Sequence, residues 1–274
     1  MTAEGGGRRC AVLGSPIDHS LSPVLHRAAY AELGLDWSYG RFEVSESGLA
    51  GFVAGLDSSW RGLSVTMPLK VAVLDLGEVD PVARRAGAGN TLILSEQGNR
   101  VYNTDVGGLV WAVRRATAKP VRRVTILGTG ATARSAVLSM VELGAEQVTV
   151  VARTPAKAGP LEVLGRDLGL PMETRPWTTE LPAADLVVST VTAGAADAVA
   201  ESVAASAPVI FDAIYAPWPT MLAEAARRAG GTVINGLDLL VGQALLQIEL
   251  MTERAVSAEL LYAALAKHAQ DASR

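Results

Sequence analysis

The chain lacks the residues that mark several large classes of protein. It holds a single cysteine, Cys10, in 274 residues, so no disulfide can close within it. Cys10 stands in the apolar run CAVLG and reads as a buried thiol. Histidines number three, at 19, 26 and 268, and no metal is expected. No apolar stretch of about 18 residues free of charge and glycine occurs, so no membrane span is expected. The opening MTAEGGGRR has no apolar core and does not read as a secretory leader. Basic residues do not gather beyond pairs such as Arg8-Arg9 and Arg122-Arg123, and 24 Lys and Arg stand against 28 Asp and Glu, for a net charge of −4. Nucleic acid is therefore not an expected partner. The cytoplasm is the expected location.

What is present is a globular composition, 49% hydrophobic and 19% charged, long enough for one large domain or two ordinary ones. Short apolar runs alternate with helical patterns. CAVLG (10–14) predicts a buried strand and PVLHRAAYAELG (23–34) a helix ending at Gly34. GLSVTM (62–67) predicts a strand stopped by Pro68, and NTLIL (90–94) with RVYNTD (100–105) the arms of a hairpin. After about residue 106 the runs VTILG, QVTVVA, DLVVST, PVIFDAIY and TVING are almost wholly apolar. Such strands suit a parallel sheet covered on both faces, and the helices between them make βαβ units. The tail, 237–268, predicts two helices. The expected fold is α/β: a doubly wound Rossmann-type domain over 106–236, inserted between residues 1–105 and 237–274, which together form a second α/β domain.

The run VTILGTGATARSAV carries Gly128-Thr129-Gly130-Ala131-Thr132-Ala133 between a predicted strand and a helix predicted over 133–143. This is the context a dinucleotide fingerprint requires. Gly128 allows the tight turn, Gly130 lets the backbone approach a pyrophosphate, and Ala133 lets helix pack on strand. The second strand ends Val151-Ala152-Arg153-Thr154, with Lys157 close behind. A carboxylate there would accept from a ribose 2′-hydroxyl and repel a 2′-phosphate, whereas Arg153 donates to phosphate in a planar fork. The pattern predicts NADP. Outside this domain Thr66, Lys70, Asn90, Asn103, Thr104 and Asp105 fall at or beside strand ends. Each is ordinary alone, but hydride transfer needs an acid or base on the substrate side.

In order, GSPIDHSLSP, SVTMPLK, AGAGNTL, NTD, GTGATAR, ART, FDAIY and INGLDLLVGQA cover nearly the whole chain. With these motifs the chain resembles the shikimate dehydrogenases. The resemblance implies reversible NADPH-dependent reduction of 3-dehydroshikimate to shikimate, in chorismate and aromatic amino acid biosynthesis. It implies a substrate domain made of both chain ends and a cleft against the cofactor domain. Carried over by position, Ser20 and Ser22 would bind the substrate carboxylate with Tyr215 nearby. Thr66, Lys70, Asn90, Asp105 and Gln243 would bind ring hydroxyls, with Lys70 and Asp105 as the catalytic pair. Ala213 and Gly236 would meet the nicotinamide end of NADP through their backbones. The partner is then a small molecule, bound by a monomer or homodimer.

Elementary chemistry fits these assignments. A small carboxylate suits short neutral donors on a fixed backbone, and Ser22 before Pro23 has the form of an N-cap. The histidine of the loop, His19, is expected to hold it in shape through its ring nitrogens. Gln243 shares a helical stripe with Leu239, Leu246 and Leu250, so its amide must find either a substrate hydroxyl or a carbonyl across the core. Three features depart from the common pattern. Val106 follows the NTD, STVT brings Ser189 and Val191 near the cofactor, and Ala152 opens ART. None restores a carboxylate. Two rivals differ in substrate, a quinate/shikimate and an aminoshikimate dehydrogenase. A third, from another class, is a cofactor-binding regulator without turnover, against which Lys70 and Asp105 both argue.

Overall fold

The apolar runs of the first hundred residues are short and bounded by Gly, Pro, Asn or Asp, which favours strands over helices. In the computed structural model, which describes residues 7–177 and 180–272, CAVLG lies in β1 (Arg9–Gly14). Residues 1–6, where the reading against a secretory leader begins, lie outside the described residues. The helix α1 (Ser22–Glu32) follows, then β2 (Ser38–Glu43), α2 (Leu49–Ala54) and β3 (Trp60–Val65). After these come β4 (Glu78–Val79), α3 (Pro81–Ala86), β5 (Thr91–Ile93) and β6 (Arg100–Tyr102). They form one mixed sheet in the order β2-β1-β3-β5-β6-β4. β1 pairs in parallel with β2 and β3, while β5 runs antiparallel to β3 and β6. Alternation along β1 covers both faces: Ala11 and Leu13 join one apolar cluster, Cys10 and Val12 the other.

Local chemistry sets the ends of these elements. At the end of α1, Gly34 takes φ +65°, the Leu35 N–H donates to Tyr30 O and the Gly34 N–H to Ala31 O. This left-handed closure is the one glycine makes without strain. The second hairpin arm stops at Tyr102 and does not run on to Asp105, because side chains take the next backbone groups. Asn103 Nδ2 donates to Ala88 O at 2.9 Å and the Thr104 N–H to Asn90 Oδ1 at 2.8 Å.

The five almost wholly apolar runs pair as a parallel sheet, joined at one edge by a sixth strand that the apolar pattern does not show, the polar and part-exposed METRP. After α4 (Asp105–Ala116) come β7 (Arg123–Leu127), α5 (Ala131–Glu142), β8 (Gln147–Ala152), α6 (Gly159–Asp167) and β9 (Met172–Pro176). The second half holds β10 (Leu186–Ser189), α7 (Ala200–Ser206), β11 (Val209–Asp212), α8 (Met221–Arg228) and β12 (Thr232–Ile234). All six strands are parallel, in the order β9-β8-β7-β10-β11-β12. Numbered within this sheet that order is 3-2-1-4-5-6, the doubly wound arrangement whose switch point lies between its first and fourth strands. PVIFDAIY stays a strand only to Asp212, whose carboxylate accepts from the Ile214 N–H at 3.2 Å and so turns the chain. The tail forms α9 (Gly236–Thr252) and α10 (Ala258–Ala272). The chain divides into two compact units, Met1–Thr104 with Val241–Arg274, and Asp105–Leu240. Among the described residues no helix is long and apolar enough to cross a membrane, and no group of three His, Cys, Asp or Glu could hold a metal ion.

Candidate active site

In the first unit the loop after β1 is pinned from β2. The Arg41 guanidinium donates to Ser20 O at 2.9 Å and to Asp18 O, and Ser15 Oγ donates to Glu43 Oε1 at 2.8 Å. Ser20 and Ser22 are both buried, and the Ser22 N–H points at Ser20 Oγ from 3.4 Å. Two expectations fail here. Ser22 is not the N-cap: it is the first helical residue, and Leu21 takes the cap position with helical angles and no side-chain cap. Pro23 has no N–H, and Val24 and Leu25 both give theirs to Leu21 O, so the donors that a Ser22 cap would serve are already held. His19 does not brace the loop either. It is exposed and makes no hydrogen bond among the described residues, because Arg41 already holds the carbonyls.

The other residues of this unit expected at the site stand at the ends of β3 and before β5. Thr66 follows β3, its N–H on Leu13 O and its carbonyl accepting from Leu69 at 2.8 Å. The half-buried Lys70 has its carbonyl bound by the Gly89 N–H at 2.7 Å, so its backbone lies beside the approach to Asn90. Asn90 is 2% exposed and fully oriented. Its Oδ1 accepts from Thr104 N and from Thr91 Oγ1 at 2.9 Å, and its Nδ2 donates to Thr104 Oγ1 at 2.9 Å and to Gln243 Oε1 at 3.4 Å. Gln243 Oε1 thus takes its hydrogen bond from the Asn90 side-chain amide. Asp105 comes next after Thr104, buried at the N-terminus of α4, where the helix dipole favours a carboxylate.

Sequence reasoning passed over Gln247. It lies one helical turn beyond Gln243 on α9 and is 1% exposed. Its Oε1 accepts from Ser64 Oγ at 2.7 Å and from His26 Nε2 at 3.3 Å, and its Nε2 donates to Asn90 O at 3.1 Å and Thr91 Oγ1 at 2.9 Å. His26 is stacked on Tyr39 at 4.0 Å, and burial pushes its pKa down to about 3. It is a neutral core histidine. The spacing of the two glutamines on an otherwise apolar stripe was the available signal.

The second unit carries the dinucleotide features. Gly128 follows β7 at φ +110°, and a Cβ there would lie 2.6 Å from Thr190 Oγ1, so both conformation and space call for glycine. Thr129 follows in the turn. Gly130 is exposed at the cap of α5, and a Cβ there would meet nothing within 4 Å. Ala131 and Thr132 open the helix half-buried, and Ala133 is fully buried against the sheet. The open side of Gly130 and the first turn of α5, which carries no acidic residue, suit a pyrophosphate. Beyond β8, Ala152 is buried while Arg153, Thr154 and Lys157 are exposed. Neither Arg153 nor Lys157 enters an ion pair among the described residues.

A second turn lies after β11. Asp212 is 2% exposed and burial raises its pKa. Its Oδ2 accepts from Thr220 Oγ1 at 2.7 Å, and Thr220 in turn caps α8 by accepting from the Ala223 N–H. The Ala213 N–H donates to Ser189 O at 3.0 Å, and the Gly236 N–H to Ile214 O at 3.3 Å. The segment that presents Ala213 and the half-buried Tyr215 is thus held from three sides. Asp212 was not singled out from sequence, because a lone Asp after an apolar strand looks like an ordinary turn residue. Val191 packs against the apolar core of this unit.

Unit by unit, the chain combines a cradle rich in neutral donors and acceptors with a dinucleotide turn, and known proteins share that combination. The profile described as "Shikimate dehydrogenase substrate binding domain" matches residues 12–92. The shikimate dehydrogenase (NADP(+)) of Moorella thermoacetica is 35% identical over 263 residues, 89% of this chain and 88% of that protein. The crystal structure of Mycobacterium tuberculosis shikimate dehydrogenase is 42% identical with a TM-score of 0.87, covering 95% of this chain and 99% of that one. The Thermus thermophilus enzyme, solved in complex with NADP(H) and shikimate, is 31% identical with a TM-score of 0.82, covering 95% and 99%. With a curated relative this similar across nearly its whole length, the chain belongs to the shikimate dehydrogenase family.

Proposed function

We propose that this protein catalyses the reversible NADPH-dependent reduction of 3-dehydroshikimate to shikimate. The observation that carries the reading is the 35% identity to an NADP-dependent shikimate dehydrogenase along 89% of the chain. Local chemistry supports it. The turn at Gly128–Ala133 has the open face that a pyrophosphate needs, and Arg153 with Lys157 supplies positive charge where an NAD site carries a carboxylate.

NADPH, when bound, supplies the hydride. The chain's own groups do the rest. Ser20 and Ser22 bind the carboxylate with Tyr215 nearby. Thr66, Asn90 and Gln243 bind hydroxyls and so aim the ring carbonyl. Once hydride reaches the carbonyl carbon, its oxygen carries a negative charge and needs a proton. Lys70 delivers that proton from Nζ, Asp105 stabilises the ammonium form, and oxidation of shikimate runs the transfer backwards. Thr129, Ala131, Thr132, Ala152 and Thr154 line the cofactor path, with Ala213 and Gly236 at its nicotinamide end. Small molecules are the partners of this reading, for a cytoplasmic monomer or homodimer.

The test is a rate assay of the purified protein, following NADPH absorbance with shikimate and NADP. Turnover is expected, with lower kcat/KM for quinate in place of shikimate and for NAD in place of NADP. No turnover of shikimate with either cofactor overturns the reading, and a preference for quinate moves it to the neighbouring activity.

A further inference from the structure

Three segments that carry candidate substrate residues converge on one side chain of a fourth, and that side chain carries none of the chemistry. The Gln247 amide offers two acceptor and two donor positions, and each one is filled from a different residue. Its oxygen faces Ser64, two residues before Thr66, and His26, one helical turn into α1 from Ser22. Its nitrogen faces the Asn90 carbonyl and the Thr91 hydroxyl. Its own helix carries Gln243 one turn earlier.

The donors also set a direction. His26 must give its Nε2–H to the Gln247 oxygen, which leaves Nδ1 to accept from Tyr30 Oη at 3.5 Å. Ser64 gives its proton to the same oxygen and takes one from Tyr39 Oη at 2.6 Å. On the other side Gln247 Nε2 donates to Thr91, Thr91 donates to Asn90 Oδ1, and Asn90 Nδ2 donates to Gln243 Oε1. The Asn90 oxygen also holds Thr104, the residue before Asp105. A flipped Gln247 amide would set its carbonyl against the Asn90 carbonyl, which fixes the orientation of the network.

We propose that Gln247 is a positioning residue for substrate binding: the donor face of its amide holds Asn90, and through Asn90 sets Gln243. The proposal rests on the reading of Asn90 and Gln243 as substrate contacts. It separates the two faces of one amide. The donor face governs the substrate, while the acceptor face, on Ser64 and His26, governs the stability of the core.

Three variants test this. Gln247→Met is close in shape but cannot hydrogen-bond in this way. Gln247→Glu keeps acceptor oxygens and loses the donors. Thr91→Val is isosteric and removes one acceptor of the donor face, and it carries the test if the other two fail to fold. Loss of one buried hydrogen bond corresponds to about a tenfold change in an equilibrium. The expected result is a shikimate KM raised about tenfold or more in both Gln247 variants and several-fold in Thr91→Val, with the NADP KM within about twofold of wild type. A residue that merely supports the fold would lower Tm and leave the shikimate KM alone. That outcome in the variants that fold overturns the proposal. A second readout needs no substrate: the Asn90 and Gln243 side-chain amide signals are compared by NMR between wild type and Thr91→Val. They shift if the donor face sets these amides, and unmoved signals overturn the proposal. Wild-type protein that fails to turn over shikimate defeats the functional reading instead, and the NMR comparison still decides the role of Gln247.

Discussion

The carbonyl oxygen of Ala213 lies 2.2 Å from the point that a Cβ on residue 236 would occupy. Gly236 therefore owes its identity to a close approach of two backbones, and its N–H reaches Ile214 O beside that contact. Gly236→Ala must push the Ala213 segment or the start of α9 aside, a strain of about 1–3 kcal/mol for an overpacked site. A lower Tm and a raised NADP KM are expected together. Calorimetry and steady-state kinetics on the same sample check this, and an unchanged Tm would show that the backbones give way freely.

Arg153 is exposed just past β8, where the cofactor reading needs a cation. Arg153→Ala is expected to raise the NADP KM about tenfold to a hundredfold, the size of a charge-assisted contact of about 1.5–3 kcal/mol. The NAD KM should barely move. Equal losses for the two cofactors would mean that Arg153 does not meet a 2′-phosphate.

Because Ser22 caps nothing, Ser20→Ala and Ser22→Ala share one expectation. Each should weaken shikimate binding with little change in Tm, and neither should lose the roughly 1 kcal/mol of a true N-cap. Thermal melts beside shikimate KM values check it. A normal KM in both variants would place the carboxylate elsewhere.

Lys70→Ala is expected to cut kcat by about a hundredfold to ten-thousandfold, the usual worth of an acid or base. Shikimate binding should fall much less. Lys70→Arg should do nearly as badly, since a guanidinium does not release its proton at working pH. If KM rises while kcat stays normal, Lys70 is a binding group only.

His26 gives the fold a pH dependence. Its pKa drops from 6.5 to about 3 on burial, so the unfolded chain binds a proton that the native chain refuses. The stabilisation is complete above about pH 6.5 and is lost as pH falls toward 3, with a slope of up to about 1.4 kcal/mol per unit. Urea midpoints between pH 7 and 5 should fall in wild type and flatten in His26→Asn. Parallel slopes would show that His26 is not the titrating group.

How much of this was readable in advance depended on distance along the chain. Five strands of the parallel sheet followed from almost wholly apolar runs, while the polar edge strand β9 left no such pattern; the turn at Gly128–Ala133 followed from a local pattern whose reasons, a left-handed φ and a packed Ala133, act within a few residues. The cofactor reading rested on the few residues that end β8. Boundaries were less legible. The strand expected to reach Asp105 stops at Tyr102 and the one expected to reach Tyr215 stops at Asp212, because Asn90, Asn103 and Asp212 take backbone N–H or carbonyl groups that the ladder would otherwise use, and a side chain's choice of partner is not written in its neighbours. Ser22 fitted a capping pattern and lost the role to an adjacent proline and a leucine carbonyl. Above all, the amide network was decided only by tertiary structure. Gln247 and Asn90 stand 157 positions apart, and Gln247 and His26 stand 221 apart. Sequence alone says that a buried amide must find partners. Which partners it finds, and which way its oxygen faces, follows from four segments meeting in one desolvated place.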